Sequence, residues 1–166
     1  MEATQINEEI ELQQIDFTSY SLDWRLRAER WRDYYLGHDQ TPHYFYLRKV
    51  MQLLTWLRGP ARWVLKCPQH MEQLVPLMRA FPDARLLITH RDPVAVLKSL
   101  LTMTAYTDRL RRRMIDLPAT GAYWTDRIER LLRGCVRDRD SVPAGQAMDI
   151  DFADFMADEG GMLARA

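Results

Sequence analysis

The chain has 166 residues, and its 23 Lys plus Arg balance 23 Asp plus Glu, so the formal net charge is zero. This balance argues against nucleic acid or an anionic membrane as the main partner. Cys67 and Cys135 are too few for a disulfide framework and belong to no metal-ligand cluster, which favours a reducing cytoplasm. The acidic start and the lack of a long apolar stretch predict no secretory signal and no membrane span.

The first part of the chain is predicted to be helical. Residues 1–20 are a polar lead-in that forms either a short helix over 7–15 or a poorly ordered segment. The spacing of aromatic and apolar residues predicts an amphipathic helix over 23–36. A second helix is predicted to begin after Thr41 and to stop at Gly59.

The middle of the chain is predicted to alternate strands and helices. Residues 63–65 are predicted to form a short buried strand, residues 68–81 a helix, and residues 85–89 a second strand. Such alternation with short loops indicates parallel strands with helical crossovers. The predicted fold class is therefore α/β, in a single domain over 1–166.

A helix is predicted to follow Pro93. Its apolar side chains cover more than half of the circumference, so the helix is expected to be mostly buried, with Ser99 on a narrow polar stripe. The small side chain of Ala95, one turn earlier, leaves room for a ligand there. A further helix over 122–137 and a third strand over 148–152 complete the prediction.

The end of the second predicted strand is typical of an anion site. Arg91 supplies a fork of donors, Asp92 can cap the next helix, and Pro93 suits its first turn. The helix N-terminus adds unpaired N–H groups, and Ser99 adds a hydroxyl two turns further on. The alternatives are an ion pair of Arg91 with a nearby carboxylate and packing of Ser99 in the helix interior.

Two motifs carry a resemblance to a known family, namely Trp63-Val-Leu-Lys-Cys-Pro-Gln-His70 and Thr89-His-Arg-Asp-Pro93. They resemble the bacterial-type branch of the sulfotransferases that use 3'-phosphoadenosine 5'-phosphosulfate (PAPS). The resemblance extends more weakly from about Tyr44 to the C-terminus. It implies a fold like that of the P-loop nucleoside triphosphatases, with a parallel sheet. It also implies transfer of a sulfonate group from PAPS to a hydroxyl or amine, without a metal ion.

The resemblance also implies roles for individual residues. Arg91 and Ser99 would hold the 3'-phosphate, and Lys66 would donate to the oxygen that bridges sulfate and phosphate. His70 would be the catalytic base. Its spacing, Lys-x-x-x-His, departs from the family's Lys-x-His, and the alternative for His70 is a first-turn residue of the next helix. His90 alternates to the other side of its strand and is expected to be structural.

The family's Gly-, Ser- and Thr-rich loop for the 5'-phosphosulfate has no counterpart in this sequence. We therefore expect a partial sulfotransferase domain that is inactive alone and whose exposed sheet edge can pair with a second copy. The alternatives are a non-catalytic 3'-phosphonucleotide-binding remnant and a helical partner-binding module. The acceptor stays open among small molecules, carbohydrates and lipids.

Overall fold

The computed structural model describes residues 8–60 and 62–165. They form two compact units, one up to Pro82 and one from Asp83 onward, each with its own buried residues. None of the helices in these two stretches combines the length and apolarity that crossing a bilayer requires.

The first unit is built from helices. They are a 3₁₀ helix Glu9–Asp16, α1 Tyr20–Leu26, α2 Glu29–Gly37, α3 Thr41–Arg58, a 3₁₀ helix Pro68–Glu72 and α4 Leu74–Ala80. The lead-in is therefore a 3₁₀ helix from Glu9 onward, while residues 1–7 lie outside the described part. Ser19 ties it to α1, because its hydroxyl donates to the carbonyl of Ile10 over 2.7 Å. The buried Gln69 fixes the same region, accepting from the N–H of Tyr20 over 2.7 Å.

The single helix predicted over 23–36 is wrong, because the chain forms α1 and α2 there. Arg27 takes a left-handed conformation with φ of 45° and ends α1, and its N–H donates to the carbonyl of Asp23. A helix cannot pass through a residue in that region of backbone space. The amphipathic spacing alone gave no sign of this interruption.

The long helix α3 packs against α4 and against the 3₁₀ helix Glu9–Asp16. It begins beside Pro42 and ends at Gly59, as predicted, because Gly59 adopts a φ of 90° that other residues rarely take. Its buried face packs among the apolar core of this unit, which includes Ile10, Tyr20, Tyr35, Tyr44, Leu47, Met51, Leu74, Leu77 and Ala80.

The strand predicted over 63–65 is also wrong, because this segment is irregular. Val64 is 88% exposed and the segment joins no ladder among the described residues. Trp63 instead donates from its indole nitrogen to the hydroxyl of Thr55 over 2.9 Å. The helix predicted over 68–81 is divided at Gln73 into the second 3₁₀ helix and α4.

The second unit contains the parallel sheet. Its elements are β1 Leu86–His90, α5 Pro93–Arg109, α6 Leu117–Asp138, 3₁₀ helices Arg139–Ser141 and Ala144–Gln146, β2 Ala147–Asp151, α7 Phe152–Ala157 and α8 Glu159–Arg165. The strands pair in parallel, from Leu86 opposite Ala147 to His90 opposite Asp151. Two helices, α5 and α6, connect these strands, so the predicted α/β organisation with a helical crossover is confirmed.

The prediction that the helix after Pro93 is mostly buried is wrong. Val94 is 56% exposed, and only Thr104 and Asp108 of α5 are fully buried. Within this unit α5 packs mainly against α6, so its wide apolar surface is covered on one side only. The next helix begins earlier than predicted, because the carboxylate of Asp116 caps it by accepting from the N–H of Ala119.

Candidate functional site

The carboxyl end of β1 carries Arg91 directly into the first turn of α5. Asp92 caps this helix, since its Oδ1 accepts from the N–H of Val94 over 3.0 Å. The α5 helix runs for 17 residues, so its N-terminus carries a partial positive charge and unpaired N–H groups. The local geometry that the sequence predicts for an anion site is therefore present.

Arg91 is exposed, and its guanidinium carbon lies 4.6 Å from the centroid of the Phe152 ring. No carboxylate of the described residues forms an ion pair with it. An arginine that lies over an aromatic ring and has no carboxylate partner keeps its donors available for an anion. This arrangement argues against the ion-pair interpretation of Arg91.

Ser99 lies on α5 two turns beyond the start of the helix and is exposed. By helical spacing it shares a face with Ala95, which is one turn nearer to Arg91. The structure therefore places Arg91 and Ser99 on one continuous strand-and-helix segment. Packing in the helix interior, the alternative for Ser99, does not describe this exposed position.

Lys66 lies in the irregular segment before the second 3₁₀ helix. Its side chain is 74% exposed, and its Nζ forms an ion pair with Glu8. Its backbone N–H donates to Oε2 of Glu9 over 2.9 Å. The backbone of Lys66 is thus held by a carboxylate, while its ammonium group remains accessible.

His70 lies in the first turn of the 3₁₀ helix Pro68–Glu72, and both of its ring nitrogens have partners. Nε2 is 2.5 Å from Oε1 of Glu9, and Nδ1 is 2.8 Å from the hydroxyl of Tyr44. Because an ionised carboxylate only accepts, Nε2 carries the proton in this arrangement. In the neutral ring, Nδ1 then accepts from Tyr44.

The surroundings of Glu9 and Tyr44 shift the pKa of each group. Burial raises the pKa of Glu9, but the hydrogen bond with His70, the charge of the His70 ring when it is protonated, and the backbone N–H of Lys66 outweigh it, so the pKa is lowered overall. Burial raises the pKa of the Tyr44 hydroxyl well above its ordinary value. Glu9 therefore stays ionised and Tyr44 stays protonated at neutral pH.

The four predicted site residues fall into two pairs. Glu9 links Lys66 and His70 within the first unit, and the β1–α5 segment carries Arg91 and Ser99 in the second. Among the described residues, no group of three or more His, Cys, Asp or Glu side chains is arranged to hold a metal ion.

Sequence reasoning missed three residues at these sites, namely Glu9, Tyr44 and Phe152. Glu9 lies 61 positions before His70, in a segment whose order the sequence left open. Tyr44 is on α3, where its spacing marks it only as a core residue. For Phe152, the signal available was its position as the last residue of the strand predicted over 148–152, at the edge where ligands bind in α/β proteins.

His90 forms part of the sheet, which agrees with the structural role expected for it. Its Nε2 lies 2.7 Å from Oδ1 of Asp149, whose Oδ2 accepts from Arg139 over 2.9 Å. The hydrogen bond from His90, followed by that from Arg139, lowers the pKa of the Asp149 carboxyl. These contacts connect β1, β2 and the segment that follows α6.

Comparison with known proteins gives the same assignment as the motifs. The profile described as "Sulfotransferase family" matches residues 1–166. The crystal structure of sulfotransferase STF1 from Mycobacterium tuberculosis H37Rv is 28% identical with a TM-score of 0.89, covering 99% of this chain and 45% of that chain. The crystal structure of sulfotransferase STF9 from Mycobacterium avium is 24% identical with a TM-score of 0.86, covering 96% of this chain and 41% of that chain. Among curated proteins, none matches this sequence significantly.

The chain belongs to the sulfotransferase family. The predicted sulfotransferase fold, of the P-loop-like α/β type, is confirmed by its likeness to both mycobacterial structures. This chain spans less than half the length of either of those proteins.

Proposed function

We propose that this chain carries the 3'-phosphate-binding part of a PAPS-dependent sulfotransferase, as a partial sulfotransferase domain. The observation that supports this most directly is Arg91, which is exposed at the carboxyl end of β1 and has no carboxylate partner among the described residues. A phosphate there would meet the guanidinium donors and the N-terminus of α5 together. The hydroxyl of Ser99 would supply a further donor.

The proposed reaction is an in-line transfer of the sulfonate group to a hydroxyl or amine. The acceptor atom bonds to sulfur as the bond from sulfur to the bridging oxygen breaks. Lys66 would donate to that oxygen as charge develops on it. Its present partner, Glu8, is not an obstacle, because an exposed ion pair contributes only about 0–1 kcal/mol.

His70 is the proposed base, and its contacts define how it would act. With Nε2 donating to Glu9, Nδ1 is the atom that can take the acceptor's proton. The acceptor would then replace the Tyr44 hydroxyl at Nδ1. In a sulfotransferase that contains this sequence, we expect Lys66→Ala to lower kcat with little change in nucleotide affinity, and His70→Ala to lower kcat in a way that higher pH does not restore.

The remaining parts of the proposal concern the acceptor and the cell compartment. The acceptor would be a small molecule, a carbohydrate or a lipid, and no metal ion would be needed. Both cysteines are free, and a cytoplasmic location is proposed on that basis. Because the sequence contains no Gly-, Ser- and Thr-rich phosphate loop, we expect no sulfotransfer by the 166-residue chain alone.

The experiment is calorimetric titration of the chain with adenosine 3',5'-bisphosphate and with adenosine 5'-monophosphate. Arg91→Ala should weaken bisphosphate binding by about tenfold to a hundredfold, because a charge-assisted phosphate contact contributes about 1.5–3 kcal/mol. It should leave monophosphate binding nearly unchanged, and Ser99→Ala should act in the same direction but less. Arg85→Ala, at the amino end of β1, is the matched control and should affect neither ligand.

Three outcomes would contradict the proposal. Equal weakening of both ligands by Arg91→Ala would place some other group of the nucleotide at Arg91. An equal effect of Arg85→Ala would indicate a general electrostatic effect and no specific site. Failure of the unmodified chain to bind the bisphosphate would favour the helical partner-binding module.

A further inference from the structure

We propose that Phe152 is a positioning residue for the 3'-phosphate, acting by holding the guanidinium group of Arg91 against its ring. This inference rests on the proposed function, since it assigns a role at the same site. Arg91 would contact the phosphate, and Phe152 would act only through Arg91.

The geometry is that of a cation–π contact. The guanidinium carbon of Arg91 lies 4.6 Å from the ring centroid of Phe152, and such contacts form within about 6 Å. The guanidinium carbon lies over the face of the ring, and a contact with the ring face does not require any of the five N–H donors to form a hydrogen bond with a protein acceptor. The contact therefore restrains the guanidinium group while its donors stay available to a phosphate.

The parallel sheet explains why these two side chains meet. His90 pairs with Asp151 in the register, and Arg91 and Phe152 are the residues that directly follow the two strands. The carboxylate of Asp151 accepts from the N–H of Ala153 over 2.7 Å and so begins α7 at Phe152. The backbone of Phe152 is thus placed beside Arg91 by the sheet and by this turn.

The exposure of Phe152 also indicates a role outside the core. Its side chain is 41% exposed, whereas the apolar residues that form the core of this unit are almost fully buried. A phenylalanine at this position contributes little to the core. Its described aromatic contact is the one with Arg91.

The consequence for binding is preorganisation. Ordering a flexible side chain such as arginine on binding costs about 0.5–1.5 kcal/mol, which is about twofold to tenfold in affinity. If Phe152 already orders Arg91 in the free protein, this cost is largely absent. Loss of the ring should therefore weaken binding of a 3'-phosphate by about threefold to tenfold.

The test uses the full chain, the same two nucleotides and three substitutions. Phe152→Leu removes the ring but keeps an apolar side chain, and Phe152→Tyr keeps an aromatic face. Phe155→Leu makes the same chemical change one helical turn further along α7 and controls for effects on that helix. We expect Phe152→Leu to weaken bisphosphate binding threefold to tenfold and to leave monophosphate binding unchanged. The bisphosphate affinity of Phe152→Tyr should lie within twofold of that of the unmodified chain. Phe155→Leu should have no effect on binding.

Two further measurements test whether Phe152 acts through Arg91. In the Arg91→Ala background, Phe152→Leu should have no additional effect on bisphosphate binding. In the unliganded chain, the Arg91 Nε–H signal should show an upfield ring-current shift in the NMR spectrum that Phe152→Leu removes.

The outcomes separate this inference from the proposed function. If Arg91→Ala weakens bisphosphate binding and Phe152→Leu does not, the inference is wrong and the phosphate site stands. Equal weakening of both nucleotides by Phe152→Leu, or additivity with Arg91→Ala, would also overturn it, because the ring would then act on another part of the ligand. If Arg91→Ala has no effect on bisphosphate binding, the proposed site itself is wrong.

Discussion

Replacing Glu9 by Gln should destabilise the chain markedly. The Glu9 side chain is 1% exposed, and its carboxylate accepts from the ring of His70 over 2.5 Å and from the N–H of Lys66 over 2.9 Å. Gln keeps the shape and one acceptor oxygen but loses the charge. A hydrogen bond to a charged group contributes about 1.5–3 kcal/mol, so we expect the free energy of unfolding to fall by about 2–3 kcal/mol.

Urea unfolding followed by tryptophan fluorescence measures this change. Four of the five tryptophans, at positions 24, 31, 56 and 63, belong to the same unit as Glu9, so fluorescence reports mainly on that unit. The difference in unfolding free energy follows from the shift in midpoint if the slope of the transition is unchanged.

The effect of Glu9→Gln should depend on pH. The pKa of Glu9 in the folded chain is lowered from its ordinary value of 4.5. A carboxylate with a lowered pKa contributes stability that is complete above the unfolded-state pKa and is lost as the pH falls through the folded-state value. The difference between the two proteins should therefore be present at about pH 5 and should shrink as the pH falls below 4.5.

Glu8→Gln is the matched control, because Glu8 pairs with an exposed Lys66 side chain and should change stability by less than about 1 kcal/mol. Equal effects of the two substitutions would show that the buried carboxylate contributes nothing beyond a surface charge. A difference that grows below pH 4.5 would contradict the linkage reasoning.

Three further predictions concern packing, capping and thiol reactivity. Leu131→Ala should lower the unfolding free energy by about 2–5 kcal/mol because Leu131 is fully buried, whereas Leu132→Ala, at a site 39% exposed, should cost clearly less when urea unfolding is followed by circular dichroism, which also reports on the helices of the second unit. Asp92→Ala should lower the unfolding free energy by about 1 kcal/mol, because the α5 cap is lost. An unchanged unfolding free energy would mean that the hydrogen bond to the start of α5 is not stabilising. Burial raises the pKa of the Cys67 thiol to about 12. Cys67 should therefore react with iodoacetamide at pH 8 far more slowly than Cys135. Comparable labelling of the two cysteines in peptide mass spectrometry would contradict this burial.

The sequence by itself determined the parts that depend on local chemistry. The apolar run before Arg91, followed by Asp92 and Pro93, specified a strand that turns directly into a helix, and the structure has both. Gly59 likewise ended α3, because it adopts a positive φ that other residues rarely take and that no helical residue has. Signals of this kind are contained in a few adjacent residues, so they can be read without knowing the neighbours.

Only the tertiary structure decided which residues act together. The segment over 63–65 has the composition of a strand, but a strand exists only where a neighbour pairs with its backbone, and the described residues provide none. The contact of Glu9 with His70 spans 61 positions, and the stacking of Phe152 on Arg91 depends on the register of two strands. Such contacts are set by how distant segments pack, and composition and periodicity carry no information about that geometry.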